Sequence, residues 1–218
     1  MEQEQKHKKE SWFEIWKATL KHNSFKWELA VSVIIVYATL HFFSIFLLFA
    51  EDRPGVVMFD PILDLYTAID LSLPIFFLTY VVLLAALIAL SYYPRCFIIA
   101  LQSYTVMVIL RMISIYLTPI EAPVGIIVLH DPFFLLGTGR VILKDLFFSG
   151  HTATMFLLYL TAQNKKIKYL LLICTFLVGI TILLQKVHYS IDVFIAPFMA
   201  YCSFKMVSYF HKSHYKCK

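Results

Sequence analysis

The chain has 218 residues, is 60% hydrophobic and 15% charged, and has a mean hydropathy of +0.75. Soluble domains are typically about 45–50% apolar and about 25% charged, so the composition excludes a soluble globular protein and indicates a polytopic membrane protein of one domain. The formal net charge of +5 gains meaning only from where the charges stand.

Residues 1–26 are polar and basic, with Lys6, Lys8, Lys9, Lys17, Lys21 and Lys26. Within them Trp12, Ile15, Trp16, Thr19 and Leu20 recur at helical spacing, which predicts an amphipathic helix on the membrane surface, acting as an anchor on an anionic leaflet. Six apolar runs follow, at about 27–50, 72–93, 96–117, 148–163, 168–186 and 190–209. A helix needs roughly 20 apolar residues to cross the hydrocarbon core. The fourth run is short, so its first turn is expected to face a protein-lined cavity. The expected fold is therefore all-α: a six-span transmembrane helical bundle over 27–210, followed by a basic tail, 211–218.

With six spans, Arg95, Lys165, Lys166, Lys168 and the terminal lysines fall on one side. The other side holds Arg53, Arg140, Lys144 and Lys186 among several acids. Positive residues favour the cytoplasm, which predicts both termini inside and two long non-cytoplasmic loops, about 51–71 and 118–147. Thr118-Pro119 and Pro123 open the second loop. Its apolar piece, broken by Asp131-Pro132, is too short to span. Cys96, Cys174, Cys202 and Cys217 lack zinc-ligand or C-x-x-C spacing and are expected to be scattered core residues without a disulfide framework. No internal repeat or nucleotide motif occurs, and no nucleic-acid partner or cofactor is expected.

Two stretches carry chemistry: Phe148-Ser-Gly-His-Thr152 and His188-Tyr-Ser-Ile-Asp192. His151 begins the fourth run and His188 and Asp192 begin the sixth. One helix going in and one coming out separate them, so the topology returns them to one depth. His188 and Asp192 are four apart and share a helix face, where the carboxylate can fix the histidine tautomer and leave the other nitrogen free. Such a histidine serves as a nucleophile or general base, with His151 as a second proton handler. Ser149 and Gly150 let the chain turn into a helix whose first amides face an anion. Arg111 sits one to two turns inside the third span and needs an anion: a phosphate, or an ion pair with Asp192, Glu121 or an outer-loop acid. Arg140 and Lys144 add positive field at the mouth. Tyr116, Tyr189 and Thr152 complete the expected substrate-binding set. A His/His/Asp metal site remains a rival, although H-E-x-x-H is absent.

Lys144-Asp-Leu-Phe-Phe-Ser-Gly-His-Thr152 resembles the G-D-x-x-F-S-G-H-T stretch of the sphingomyelin synthases, within the type 2 phosphatidic acid phosphatase superfamily. His188-Tyr-Ser-Ile-Asp192 is similar to their H-Y-T-x-D-V motif, and Arg111 to Thr118 to their R-x-x-x-x-Y-x-T segment. The resemblance implies a metal-independent site with His188 as nucleophile, Asp192 as its orienting partner and His151 as acid and base. It implies a phospholipid donor and a lipid alcohol acceptor in the bilayer, with a homo-oligomer left open. Two departures matter. The K-x₆-R-P and S-R elements of classical superfamily members are absent, and Lys144 replaces a glycine. Fewer cationic ligands suit a singly charged diester over a doubly charged monoester. The expected activity is therefore headgroup transfer through a phosphohistidine on the outer leaflet. The alternatives are hydrolysis at the same residues and a non-enzymatic lipid-binding or transport role.

Overall fold

A computed structural model describes residues 11–211. Lys6, Lys8, Lys9, Lys212, Lys216, Lys218 and Cys217 lie outside the described residues, so the expectations for the extreme N-terminus and for the basic tail fall there too. Among the described residues the fold is all-helical, with a single isolated bridge between Val56 and Ile120 and no named strand.

Helix α1 (Trp12–Thr19) starts at a capping box in which Glu14 accepts from the Ser11 N–H. Its indoles tie it to the bundle: Trp12 Nε1 donates to Ser91 Oγ at 3.0 Å and Trp16 Nε1 to the Ser91 carbonyl at 2.8 Å. Helix α1 is thereby clamped to the last residue of α4 (Val82–Ser91), at the turn into α5 (Pro94–Leu117). Helix α2 (Asn23–Asp52) runs longer at both ends than its apolar run. The second run forms α3 (Ser72–Phe76), a π-helical turn (Phe77–Val81) and α4 in one continuous rod.

Among the described residues, five helical segments are long and apolar enough to cross a membrane: Asn23–Asp52, Ser72–Ser91, Pro94–Leu117, α8 (Lys165–Leu184) and α9 (Ser190–Phe210). Together they make the chain a helical membrane bundle. The remaining expected span is α7 (Gly150–Thr161), only 12 residues long. At about 1.5 Å per residue it reaches about 18 Å, short of a hydrocarbon core of about 30 Å. Helix α6 (Pro132–Thr138) is a single short helix inside the second long loop.

The central helix is α5, half of whose apolar window is buried, against 17% for α2. Helices α2, α7 and α9 all pack on it. Without a hydrophobic drive between helices in lipid, close packing by small residues matters most. Ala153, Ala196 and Ala200, all fully buried, bring α7 and α9 together around Met107, Phe148 and Leu157. The polar end of α8 is closed by Gln185, which is fully buried. Its amide donates to Ser72 Oγ and the Ile127 carbonyl, and its oxygen accepts from the Leu71 N–H. Both long loops are therefore tied to the same helix end, beside the starts of α7 and α9.

The cysteine expectation needs one correction. Cys96 is disulfide-bonded, whereas Cys174 and Cys202 are free. Bridging depends on two Cα atoms coming within about 7 Å, which spacing along the chain does not report.

Gly179 of α8 faces both α7 and α9: a Cβ there would stand 2.9 Å from Val193 Cγ1 and 3.9 Å from Thr152. Gly179→Leu is expected to lower stability by about 1–3 kcal/mol through overpacking, measured as thermal unfolding in detergent micelles. A neutral result would contradict this packing.

Candidate active site

Each histidine motif begins a helix, and each start is built by a cap. Ser149 is fully buried; its Oγ accepts from the Thr152 N–H at 3.3 Å and lies 3.0 Å from Thr152 Oγ1. Ser149 and Thr152 thus hold α7's first turn. The start of α9 takes its acceptor from far along the chain: Asp60 Oδ2 accepts from the Ser190 N–H at 2.7 Å, while Asp60 Oδ1 accepts from Ile62 and Leu63. Tyr189 is buried and holds the loops, its hydroxyl donating to the Glu121 carbonyl and accepting from the Met58 N–H. The two starts are joined directly, because the Ser149 N–H donates to the Asp192 carbonyl at 3.1 Å. Phe147 (φ 95°) and Lys186 (φ 57°) have positive φ, and each stands two residues before the cap or histidine that follows it. Non-glycine residues adopt that conformation at a cost, and it concentrates at sites that surrounding structure over-determines.

His188 and His151 line one cavity, together with Asp131, Asp145, Arg140 and Leu143. His188 Nδ1 lies 3.1 Å from Asp192 Oδ2, and both side chains are buried. With Asp192 ionised, Nδ1 carries the proton and Nε2 keeps its lone pair. His151 has a carboxylate partner of its own: its Nε2 is 3.0 Å from Asp131 Oδ2. Asp131 Oδ1 in turn accepts from the Tyr80 hydroxyl at 2.5 Å. The site therefore holds two histidine–carboxylate pairs, each leaving one ring nitrogen for a reacting atom. Among the described residues, no group of three or more His, Cys, Asp or Glu comes together to hold a metal ion.

Asp131 and Tyr80 are the residues that sequence reasoning missed. Asp131 was visible only as the acid of an Asp-Pro break in a loop, and Tyr80 as one aromatic in an apolar run. The remaining signal for Asp131 was an ionisable group inside an apolar stretch, which is costly in a membrane protein and tends to be functional.

The expected cationic ligands are already paired. Arg111 is buried and grips Asp145: Nε and Nη2 both reach Oδ1 at 2.9 Å, Nη2 donates to the Asp145 carbonyl, and Nη1 donates to the Phe148 carbonyl. Gly150 makes room for this, since a Cβ there would stand 3.0 Å from the guanidinium carbon. Lys144 pairs with Glu121 at 2.8 Å and donates to the Arg53 carbonyl. Hydrogen bonding by that ammonium holds the Glu121 carboxyl below its ordinary range. Arg140 reaches the cavity but also lies 3.3 Å from Asp52. Tyr116 is exposed at the end of α5, its ring under Arg53, away from both histidines' cavity. Glu51 of α2 accepts from the Leu143 and Lys144 N–H groups, pinning a segment whose residues 140–143 line the cavity. The cavity is about 40 Å³, room for about three waters.

Residues 144–211 match the family model described as PAP2 superfamily C-terminal. The match covers α7, α8 and α9 and both histidine motifs. It supports the type 2 phosphatidic acid phosphatase superfamily for this chain. Members of that superfamily are generally phosphatases and phosphotransferases, so the match suggests that class of lipid chemistry in an integral membrane protein. No curated protein gives a match.

Two outcomes follow from this geometry. Arg111→Ala removes a buried guanidinium and leaves the half-buried Asp145 carboxylate and the Phe148 carbonyl without its hydrogen bonds, and is expected to destabilise the fold by about 1–3 kcal/mol in a thermal melt; a side chain that only met substrate would leave the melt unchanged. Asp60 gives a pH effect. Burial raises its carboxyl, but the Ser190, Ile62 and Leu63 hydrogen bonds outweigh that and hold it below 3.8. A depressed carboxylate contributes its stability above the unfolded value, and the contribution is lost as pH falls through the lower folded value. Asp60→Asn should therefore flatten the acid limb of stability below about pH 4. An unchanged acid limb would contradict the cap.

Proposed function

We propose that this protein is a lipid phosphotransferase that moves a phosphate-linked headgroup from a glycerophospholipid to a lipid alcohol, at a site on the non-cytoplasmic face. The observation that carries this reading is the pair of histidines on one cavity, each with its own carboxylate. In the first step the Nε2 lone pair of His188 forms a bond to phosphorus. The phosphorus–oxygen bond to the glycerol breaks, its electron pair stays on that oxygen, and His151 delivers the proton. Diacylglycerol leaves, and Asp192 stabilises the charge that develops on the His188 ring. In the second step His151 takes the proton of an acceptor hydroxyl. That oxygen attacks phosphorus, and the nitrogen–phosphorus bond returns its pair to His188. Asp131 Oδ2, 3.0 Å from His151 Nε2, orients that ring for its proton transfers.

The charge balance supports a diester. Arg111, Lys144 and Arg140 each face a carboxylate, so little positive charge remains for a phosphate monoester near two negative charges. Superfamily phosphatase chemistry at the same residues differs in the donor, a monoester, and in the acceptor, which is water. The small volume of the cavity between the histidines, about 40 Å³, admits water readily and makes hydrolysis the second reading.

Purified protein in nanodiscs, given phosphatidic acid and phosphatidylethanolamine in parallel with ceramide, separates the two. The expected result is headgroup transfer exceeding phosphate release. His188→Ala should abolish it, and His151→Ala or Asp192→Asn should lower it by about 10²–10⁴-fold. Faster phosphate release from phosphatidic acid would establish the phosphatase reading. Undiminished transfer by folded His188→Ala protein would sink both.

A further inference from the structure

A second compartment adjoins the cavity and shares His151, Asp131 and Asp145 with it. Its walls are apolar, built from Leu40 and Phe43 of α2, Leu83 of α4 and Met107 of α5, and it has a volume of about 130 Å³. One end is polar, because Thr79 and Tyr80 line it from the π-helical turn. π-Turns are rare and occur often at functional sites.

Thr79 is the unusual residue. Hydroxyls inside helices ordinarily donate to the carbonyl four residues back, and Thr105, Thr161, Thr175 and Ser203 do so here. Thr79 does not. The residue is only 6% exposed, and its Oγ1 is buried with no hydrogen-bond partner among the described residues. Leaving a buried hydroxyl unpaired costs about 1–3 kcal/mol. The π-turn therefore presents a polar group that nothing among the described residues satisfies, in a compartment that His151 also lines.

We infer that this compartment is the seat of the lipid alcohol, and that Thr79 recognises a carbonyl close to the reacting hydroxyl. The ligand class is a long-chain alcohol carrying an ester or amide carbonyl near its hydroxyl, which describes both diacylglycerol and ceramide. Acyl chains lie against the apolar walls, Thr79 donates to the carbonyl, and the hydroxyl meets His151. Tyr80 is a positioning residue, acting through Asp131. The inference rests on the phosphotransferase reading for its reaction but predicts binding that needs no turnover.

The test is photolabelling of the full chain in nanodiscs. One arm uses a diacylglycerol with a diazirine in an acyl chain, the other a ceramide with the same group. Each label is competed with its unlabelled parent and with 1-octadecanol, which has the hydroxyl but no carbonyl. Labelled peptides should map to α4 and α5 in at least one arm, and the arm that labels identifies the alcohol. The parent lipid should compete about three- to tenfold better than octadecanol, the value of one net hydrogen bond. Thr79→Val should erase that preference. Ser103→Ala removes another buried, unpartnered hydroxyl that does not line the compartment, and should keep it. Labelling elsewhere in both arms, or an unchanged preference in Thr79→Val, overturns the inference even if transfer is observed. Labelling here with the expected preference, but no transfer to any acceptor, sustains it and removes the enzymatic reading.

Discussion

The hydrogen bond from the Ser149 amide to the Asp192 carbonyl is the constraint on which the site depends. It joins the cap of α7 to the first turn of α9, in a bundle where unsatisfied backbone groups are costly. Once it is made, the distance between the two histidine motifs is no longer adjustable. Alanines along the α7–α9 contact, and Gly179 behind it, let the helices come close enough to make it. Asp60 and Ser149 then satisfy the amides of the two helix starts. The paired positive-φ residues, Phe147 and Lys186, steer the chain into those starts.

The electrostatics follow from that frame. Arg111 lies against α7 because residue 150 has no side chain, and from there it holds Asp145 and the Phe148 carbonyl. Its charge organises the approach to Ser149 and is balanced before any substrate arrives. Lys144 is balanced likewise by Glu121. What remains exposed to the cavity is mainly the chemistry of two imidazoles, each biased by a carboxylate. Such an arrangement suits moving protons and a phosphoryl group more than gripping a highly charged ligand.

Much of this was readable from residue pattern. The four-residue spacing of His188 and Asp192 implied a pair on one helix face, and the structure shows that pair. Counting spans implied that His151 and His188 meet, and they line one cavity. Arg111 was expected to need an anion, and an outer-loop acid was among the alternatives; it is Asp145. What escaped were contacts made by loops and by local backbone irregularity. Asp131 reaches His151 from a loop twenty residues earlier, and nothing in the pattern of that loop specifies its path. Tyr80 and Thr79 depend on a π-turn that apolar periodicity does not reveal. Residue 60 caps a helix 130 positions away, and long-range caps leave no local signature. The sequence resemblance extended to the sphingomyelin synthases, whereas the family match supports the wider superfamily over residues 144–211.

The central claim is that His188 carries the headgroup phosphate between donor and acceptor. The most direct measurement is a rapid alkaline quench of the protein mixed with phospholipid labelled at phosphorus, followed by peptide mapping. The account predicts an acid-labile label on the peptide containing His188, formed without acceptor and discharged when a lipid alcohol is added. Transfer that proceeds at full rate with no label on that peptide, or with the label on a different residue, would contradict it.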